Sequence, residues 1–336
     1  MARFVLFGRD PARDAPEARP RDGVPDWVAA DPARIGRALE RALALPSGGW
    51  AVLDASDRVT RTPRRLVVAG HALVVWRSPD GPRAAPEACP HMGASLCQGR
   101  VDGEGRIVCP WHGLALAGRR GAWAPLPTHD DGVLAWVRLP ELLAPGERAS
   151  DAPILAARPA RSVRGVIRME ARCAPRDVLA NRLDPWHGVH FHPHSFLRLR
   201  VVDEDETQIT VRVVYKVLGP LAMEVDARFH CPDPRTIVMT IVRGDGVGSV
   251  VETHATPLEP GRTAVIEATL ATSDRALFPL LSRLGRVARP LIEARAARLW
   301  VEDCAYAERT YALREQAPAP QPPSGRLAMK PRGGIE

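Results

Sequence analysis

Residues 89–113 read CPHMGASLCQGRVDGEGRIVCPWHG, so that Cys89-x-His91 is followed, seventeen residues on, by Cys109-x-x-His112. A zinc finger supplies its cysteines as one close pair and its histidines as another. Here each of two glycine-bearing loops supplies one of each. That alternation suits a [2Fe-2S] cluster in which two thiolates hold one iron and two imidazoles the other. Gly93 and Gly113 let the loop backbones turn closely around the cluster, and Pro90 and Pro110 stiffen each loop just after its thiolate.

Outward from the loops, Trp50 to about Pro140 reads as short strands. RLVVAGHALVVWR predicts a hairpin around Gly70-His71, and GRIVCPW a further apolar run entered from a glycine turn. We therefore expect a small antiparallel β domain over 47–145, preceded by an N-terminal extension over 1–46. The first 25 or so residues, rich in Pro, Arg and Asp, are expected to be loosely ordered. In DPARIGRALERALA, Asp31 is placed as N-cap and Pro32 at the first helical position, with Ile35, Leu39 and Leu43 on one side.

After a linker at PELLAPGERASDAP, the segment 151–315 alternates in period two through FLRLRVV, TQITVRVVYKV, AMEVDARFH, RTIVMTIVR, SVVETHATPL and RTAVIEATLAT. In AMEVDARFH, Met223, Val225, Ala227 and Phe229 are placed on a buried face, and Glu224, Asp226, Arg228 and His230 on a wet one. The period turns helical from about Ser273 to Glu315, broken near Pro290, so one long helix can cover an antiparallel meander. The fold class is α+β, and the proline-rich tail 316–336 is expected to be disordered.

A cluster alone only carries electrons. NRLDPWHGVHFHPH, 181–194, offers somewhere to send them. Asn181, Asp184 and His187 recur every third residue on one side of a proposed helix that Gly188 would end. A later histidine would reach back from an extended segment, and His190, His192 and His194 alternate there, so spacing alone does not choose among them. Two histidines and one carboxylate make the facial triad of non-heme Fe(II) sites, with positions left open. In ARAARLWVEDCAYAERTYA, Glu302 shares a helix side with Arg295, Arg298 and Arg309 and reads as solvated and ion-paired. Asp303 falls on the apolar side with Leu299, Trp300 and Tyr306. A buried carboxylate needs a partner, and a metal is one.

The 336 residues suit two domains. The composition, 45% hydrophobic and 25% charged, is that of a globular protein, and no apolar run approaches a membrane span. The net charge of +7 is scattered among acids, which argues against nucleic acid. The opening MARFVLFGRDPARD is too short an apolar stretch for a signal peptide, which leads us to expect a cytoplasmic protein. The six cysteines then form no disulfide framework.

With both constellations in view, residues 47–315 resemble the Rieske non-heme iron oxygenases of the short, O-demethylase-like type. The resemblance implies a Rieske domain followed by a helix-grip catalytic domain. It maps the family signature Asn-x2-Asp-x2-His-x4-His onto Asn181, Asp184, His187 and His192, and the late carboxylate onto Asp303. It further implies a mononuclear Fe(II), O2, a small hydrophobic or aromatic substrate, and a ferredoxin or flavin reductase as electron donor. Asp184 would bridge His187 to a Rieske histidine of a neighbouring subunit, which implies a homotrimer. High-potential Rieske proteins brace the loops with a disulfide. Ala94 and Trp111 stand at those positions here, which implies the lower part of the roughly −150 to +300 mV range. The reading from another class is an electron carrier or lipophilic-ligand binder, in which the three metal-binding side chains would not converge.

Overall fold

The computed structural model describes residues 4–6, 26–218, 221–275, 278 and 285–316. In chain order the elements begin with β1 (Phe4–Leu6), α1 (Asp26–Ala29) and α2 (Pro32–Leu43). The cluster-bearing part follows: β2 (Trp50–Ala55), β3 (Arg64–Val68), β4 (His71–Ser78), β5 (Gly81–Pro86), β6 (Arg100–Val101), β7 (Ile107–Val108), β8 (Ala115–Leu116), β9 (Thr128–Asp130) and β10 (Leu134–Arg138). They form three small antiparallel sheets, β2-β10-β9, β3-β4-β5 and β6-β7-β8.

The remainder comprises β11 (Val163–Ala171), α3 (Pro175–Leu183), α4 (His187–Phe191), β12 (Phe196–Glu204), β13 (Gln208–Leu218), β14 (Leu221–Asp233), β15 (Thr236–Gly244), β16 (Val250–Glu259), β17 (Arg262–Ala271) and α5 (Gly285–Gln316). β12 to β17 run as the expected antiparallel meander, and β11 closes beside β17. Leu39 and Ala42 of α2, Leu179 and Leu183 of α3, Ala296, Trp300 and Ala307 of α5, and Ile167 of β11 share one buried core. The helix therefore grips the sheet. This is the α+β arrangement the alternation implied, a small β part followed by an antiparallel sheet under a long C-terminal helix.

A second core joins the two parts. Trp50 and Val52 of β2 and Trp136 of β10 pack on Val166 of β11, Leu258 of β16 and Ile266 of β17. Above it, Arg158 clamps both sides. Its Nε and Nη2 donate to Glu252 at 2.5 and 2.6 Å, and its Nη1 lies 2.9 Å from Asp131.

Several local expectations are corrected. The β3–β4 turn is Ala69-Gly70, with φ of 49° and 80°, one residue before the expected Gly70-His71. Alanine at positive φ is strained, but Ala69 N–H and Gly70 N–H donate to the carbonyls of Pro257 and Leu258 at 2.8 and 2.6 Å, so the other sheet holds the turn. The first residues are not all loose: β1 pairs with Leu221–Met223 of β14, beyond the end of its pairing with β15. Asp226 is buried rather than wet, because Arg212 and Arg243 both reach it, at 2.7 and 2.5 Å. α5 is not broken at Pro290, which lies early within it, where a missing N–H removes a single helical bond. The stretch 273–284 is only partly described, and the tail 317–336 lies outside the described residues.

Candidate metal centres

The two cluster loops are built alike. Cys89 N–H donates to Ala94 O at 2.9 Å and Gly93 N–H to Cys89 O at 2.8 Å; Cys109 N–H donates to Leu114 O at 2.9 Å and Gly113 N–H to Cys109 O at 3.1 Å. Gly93 and Gly113 have φ of 77° and 69°, the turn only glycine makes without strain. Cys89 and Cys109 are buried among Leu96, Ile107 and Leu116, with their thiols against each other. His91 and His112 are exposed, with their Nδ1 atoms 3.3 Å apart. The donors thus form a thiol pair inside and an imidazole pair outside, as a cluster with two unlike irons requires. Met92 and Trp111, 64% and 59% exposed, flank the imidazoles and give that tip an apolar rim. Cys97 Sγ lies 3.0 Å from Ser95 Oγ and 3.3 Å from Glu87 Oε1, a structural setting.

The second centre departs from the expected helix. α3 stops at Leu183, and Asp184 caps it with φ −103° and ψ 90°, because Pro185 bars the residue before it from helical backbone. His187 therefore opens a second short helix, and Gly188 lies inside α4 rather than ending α3. His192 is the C-cap of α4, with φ −119°. His190 sits within α4 and is exposed.

The break brings three side chains to one point. His187 Nε2 and His192 Nε2 lie 3.1 and 2.9 Å from Asp303 Oδ1. One donor atom from each residue falls within 4.8 Å of the others. Asp303 is 3% exposed, on the buried face of α5. Asn181 Nδ2 donates to the same Oδ1 at 3.0 Å. Burial alone would push His187 down, yet Asp184 and Asp303 at its two nitrogens hold its pKa up at about 9. Burial likewise opposes ionisation of Asp303, but the two histidines hold its carboxyl well below the usual range. Positive charge is favoured between these atoms, and two imidazoles with one carboxylate oxygen are the donor set of a facial-triad metal. The residues fit the group.

Each imidazole also has a carboxylate behind it. His192 Nδ1 lies 2.5 Å from Glu302 Oε2, and His194 Nδ1 3.8 Å from Glu302 Oε1. Glu302, expected on a solvated, arginine-paired face, is only partly exposed and meets the histidines at the end of α4. Asp184 Oδ2 lies 3.7 Å from His187 Nδ1, which has no hydrogen-bond partner, and accepts from Tyr306 Oη at 3.3 Å. Tyr306 stacks on His187 at 5.2 Å between ring centroids. A carboxylate on the far nitrogen fixes the tautomer that presents Nε2 to a metal.

The triad opens on a cavity of about 500 Å³ between the sheet and α5. Val211, Val225, Ala227, Ile241, Ile292 and Leu299 form much of its wall.

Residues 49–141 match the Rieske [2Fe-2S] domain family. The dicamba monooxygenase structure with bound dicamba resembles the chain at a TM-score of 0.56 and 18% identity, over 81% of this chain and 91% of that one. A complex of the carbazole 1,9a-dioxygenase oxygenase with its ferredoxin gives a TM-score of 0.53 and 14% identity, over 84% and 88%. The fold is that of the Rieske oxygenases, as the resemblance implied. Residues 144–318 match a domain of unknown function, DUF5914, over more than half of the chain, and the protein belongs to that family. The vanillate O-demethylase oxygenase subunit of Pseudomonas sp. (strain HR199 / DSM 7063) is 35% identical over 72 residues, 21% of this chain. That stretch spans only 20% of the relative's own length.

Proposed function

We propose that this protein is the terminal component of an oxygenase, with a [2Fe-2S] cluster on Cys89, His91, Cys109 and His112 within residues 47–145. A mononuclear iron sits on His187, His192 and Asp303 within residues 151–315. The observation that carries the reading is the meeting of His187 Nε2, His192 Nε2 and Asp303 Oδ1 at the wall of an apolar cavity. An electron carrier or simple ligand binder has no use for that convergence.

Iron so held supplies redox chemistry toward O2, with coordination positions free. The chain's own residues do the rest. The exposed imidazoles of His91 and His112 offer an outlet for electrons, and Met92 and Trp111 a dry rim for docking. Asn181 keeps Asp303 Oδ1 pointed at the two Nε2 atoms, and Asp184 stands behind His187 to pass charge toward it. The apolar walls exclude water and favour a small hydrophobic or aromatic substrate, to be hydroxylated, dealkylated or desaturated. Transfer would run between subunits of a homotrimer, from a cluster histidine of one chain to Asp184 of the next, as the resemblance implies. The ferredoxin bound to the carbazole enzyme supports a ferredoxin, or a flavin reductase, as donor. Cys97, Cys173, Cys231 and Cys304, outside the cluster, are free thiols, which suits a reducing cytoplasm.

The test is O2 consumption with a surrogate reductase and a panel of aromatic acids, aryl methyl ethers and polycyclic aromatics. At least one compound is expected to stimulate uptake in the wild type and none in Asp303→Ala. Stimulation that survives in Asp303→Ala contradicts the reading.

A further inference from the structure

Four charged side chains outside the metal centre line the apolar cavity: Asp245 pairs with Arg275, Arg295 donates to the Lys216 carbonyl, and Arg182 and Glu267 remain. Arg182, next to Asn181 at the end of α3, and Glu267, in the middle of β17, both line it. The Arg182 guanidinium lies over the rings of Phe229 and Trp300, each 5.8 Å from its carbon to the ring centroid. Its Nε is buried with no hydrogen-bond partner, and among the described residues no carboxylate lies within salt-bridge distance. Glu267 takes Trp300 Nε1–H at 2.7 Å and the Thr253 hydroxyl at 3.5 Å, both on Oε2, and Oε1 carries no bond from a described residue. Stacking on two rings and the more distant charges of Glu267 and Asp303 offset only part of the cost of keeping a guanidinium from water, so one without a direct hydrogen bond beside a cavity calls for an acceptor.

We propose that Arg182, with Glu267 beside it, forms the polar end of the substrate site, and that the substrate is an apolar molecule bearing one oxygen acceptor group, a hydroxyl or a carboxylate. The acceptor takes the free N–H bonds of Arg182, and Glu267 Oε1 lies ready for a hydroxyl proton. The rest of the molecule lies along Val211, Val225 and Ala227, beside the triad. The pair thereby sets which end of the substrate enters first, and so which carbon faces the metal. This rests on the oxygenase reading for the word substrate, but the binding chemistry stands on the cavity alone.

Equilibrium dialysis of the full, metal-loaded chain at neutral pH tests it, using biphenyl, 4-phenylphenol and 4-phenylbenzoate as probes. A hydrogen bond to a desolvated charge predicts that at least one oxygenated probe binds about tenfold or more tightly than biphenyl. Preference for the benzoate identifies a carboxylate as the natural acceptor, and preference for the phenol a hydroxyl. Arg182→Met is expected to bring the probes within about twofold of one another while biphenyl binding is retained, and Arg182→Lys to keep part of the preference. Biphenyl binding as tightly as both oxygenated probes in the wild type overturns the proposal, whether or not the variants fold. So does a preference that survives Arg182→Met. Dialysis needs neither reductase nor O2, so a preference without O2 uptake sinks the oxygenase reading alone, and uptake without a preference sinks this inference alone.

Discussion

Glu302 is the residue whose position changes the account most. Its carboxylate takes the Nδ1–H of His192, as Asp184 stands to take that of His187, so each histidine turns its Nε2 toward Asp303, where a metal would take the place of the proton. Replacing Glu302 with Gln weakens the acceptor without emptying the space. The expected result is a loss of about 10–100-fold in iron affinity at the triad, read by competition with a chelator, with the cluster's EPR signal unchanged. Unaltered affinity would show that Glu302 only fills space. Asp184→Asn is expected to leave the iron in place and slow electron arrival, read by stopped-flow oxidation of the cluster. An unchanged rate would count against Asp184 as the bridge. Asp303 was legible from the sequence because a carboxylate on an apolar helix face is conspicuous. Glu302 was not, because a helical wheel shows only its own helix and omits what meets it. The signal that could have found the Arg182 and Glu267 pair was a charge inside AVIEATLA, a strand with both faces buried.

At the scale of elements, most of the fold could be read in advance. Strands β12 to β17 declared themselves by alternation, and α2 by Asp31, whose side chain accepts Ala33 N–H at 2.9 Å. What escaped the sequence were positions where one element is held by another. The Ala69-Gly70 turn keeps its register because β16 carbonyls receive its N–H groups. The helix expected to run through His187 ends at Asp184 because Pro185 outweighs the three-residue periodicity. In the cluster part, Gly99 follows the first loop, and an added Cβ would stand 2.2 Å from the backbone oxygen of Val108, the residue before Cys109. Backbone cannot yield as a side chain can. Gly99→Ala is therefore expected to cost about 1–3 kcal/mol or more and to lower cluster occupancy, read as lost iron and inorganic sulfide. Full occupancy with an unchanged melting temperature would contradict the packing described.

Across the whole molecule, the two parts are joined by an apolar core and by Arg158, held between Asp131 and Glu252. Burial opposes ionisation of Glu252, but the hydrogen bonds from Arg158, together with His254, outweigh it and hold its pKa at about 2. A depressed carboxylate contributes stability that is complete above its unfolded value near 4.5 and is lost as pH falls toward 2. The shift corresponds to about 3 kcal/mol. The melting temperature is thus expected to fall between pH 4.5 and 2, and Arg158→Met to cost about 3 kcal/mol near neutrality by leaving buried Glu252 with only His254, 3.3 Å away, as a partner. If Arg158→Met melts like the wild type, the clamp does not join the parts.

Iron per chain, counted together with the cluster's EPR signal in the wild type and in Asp303→Ala, tests the central claim most directly. Two irons in the cluster and one at the triad give three in the wild type, falling to two in the variant with the EPR signal intact. Two irons in both proteins would mean that His187, His192 and Asp303 hold no metal, and the second centre would be withdrawn.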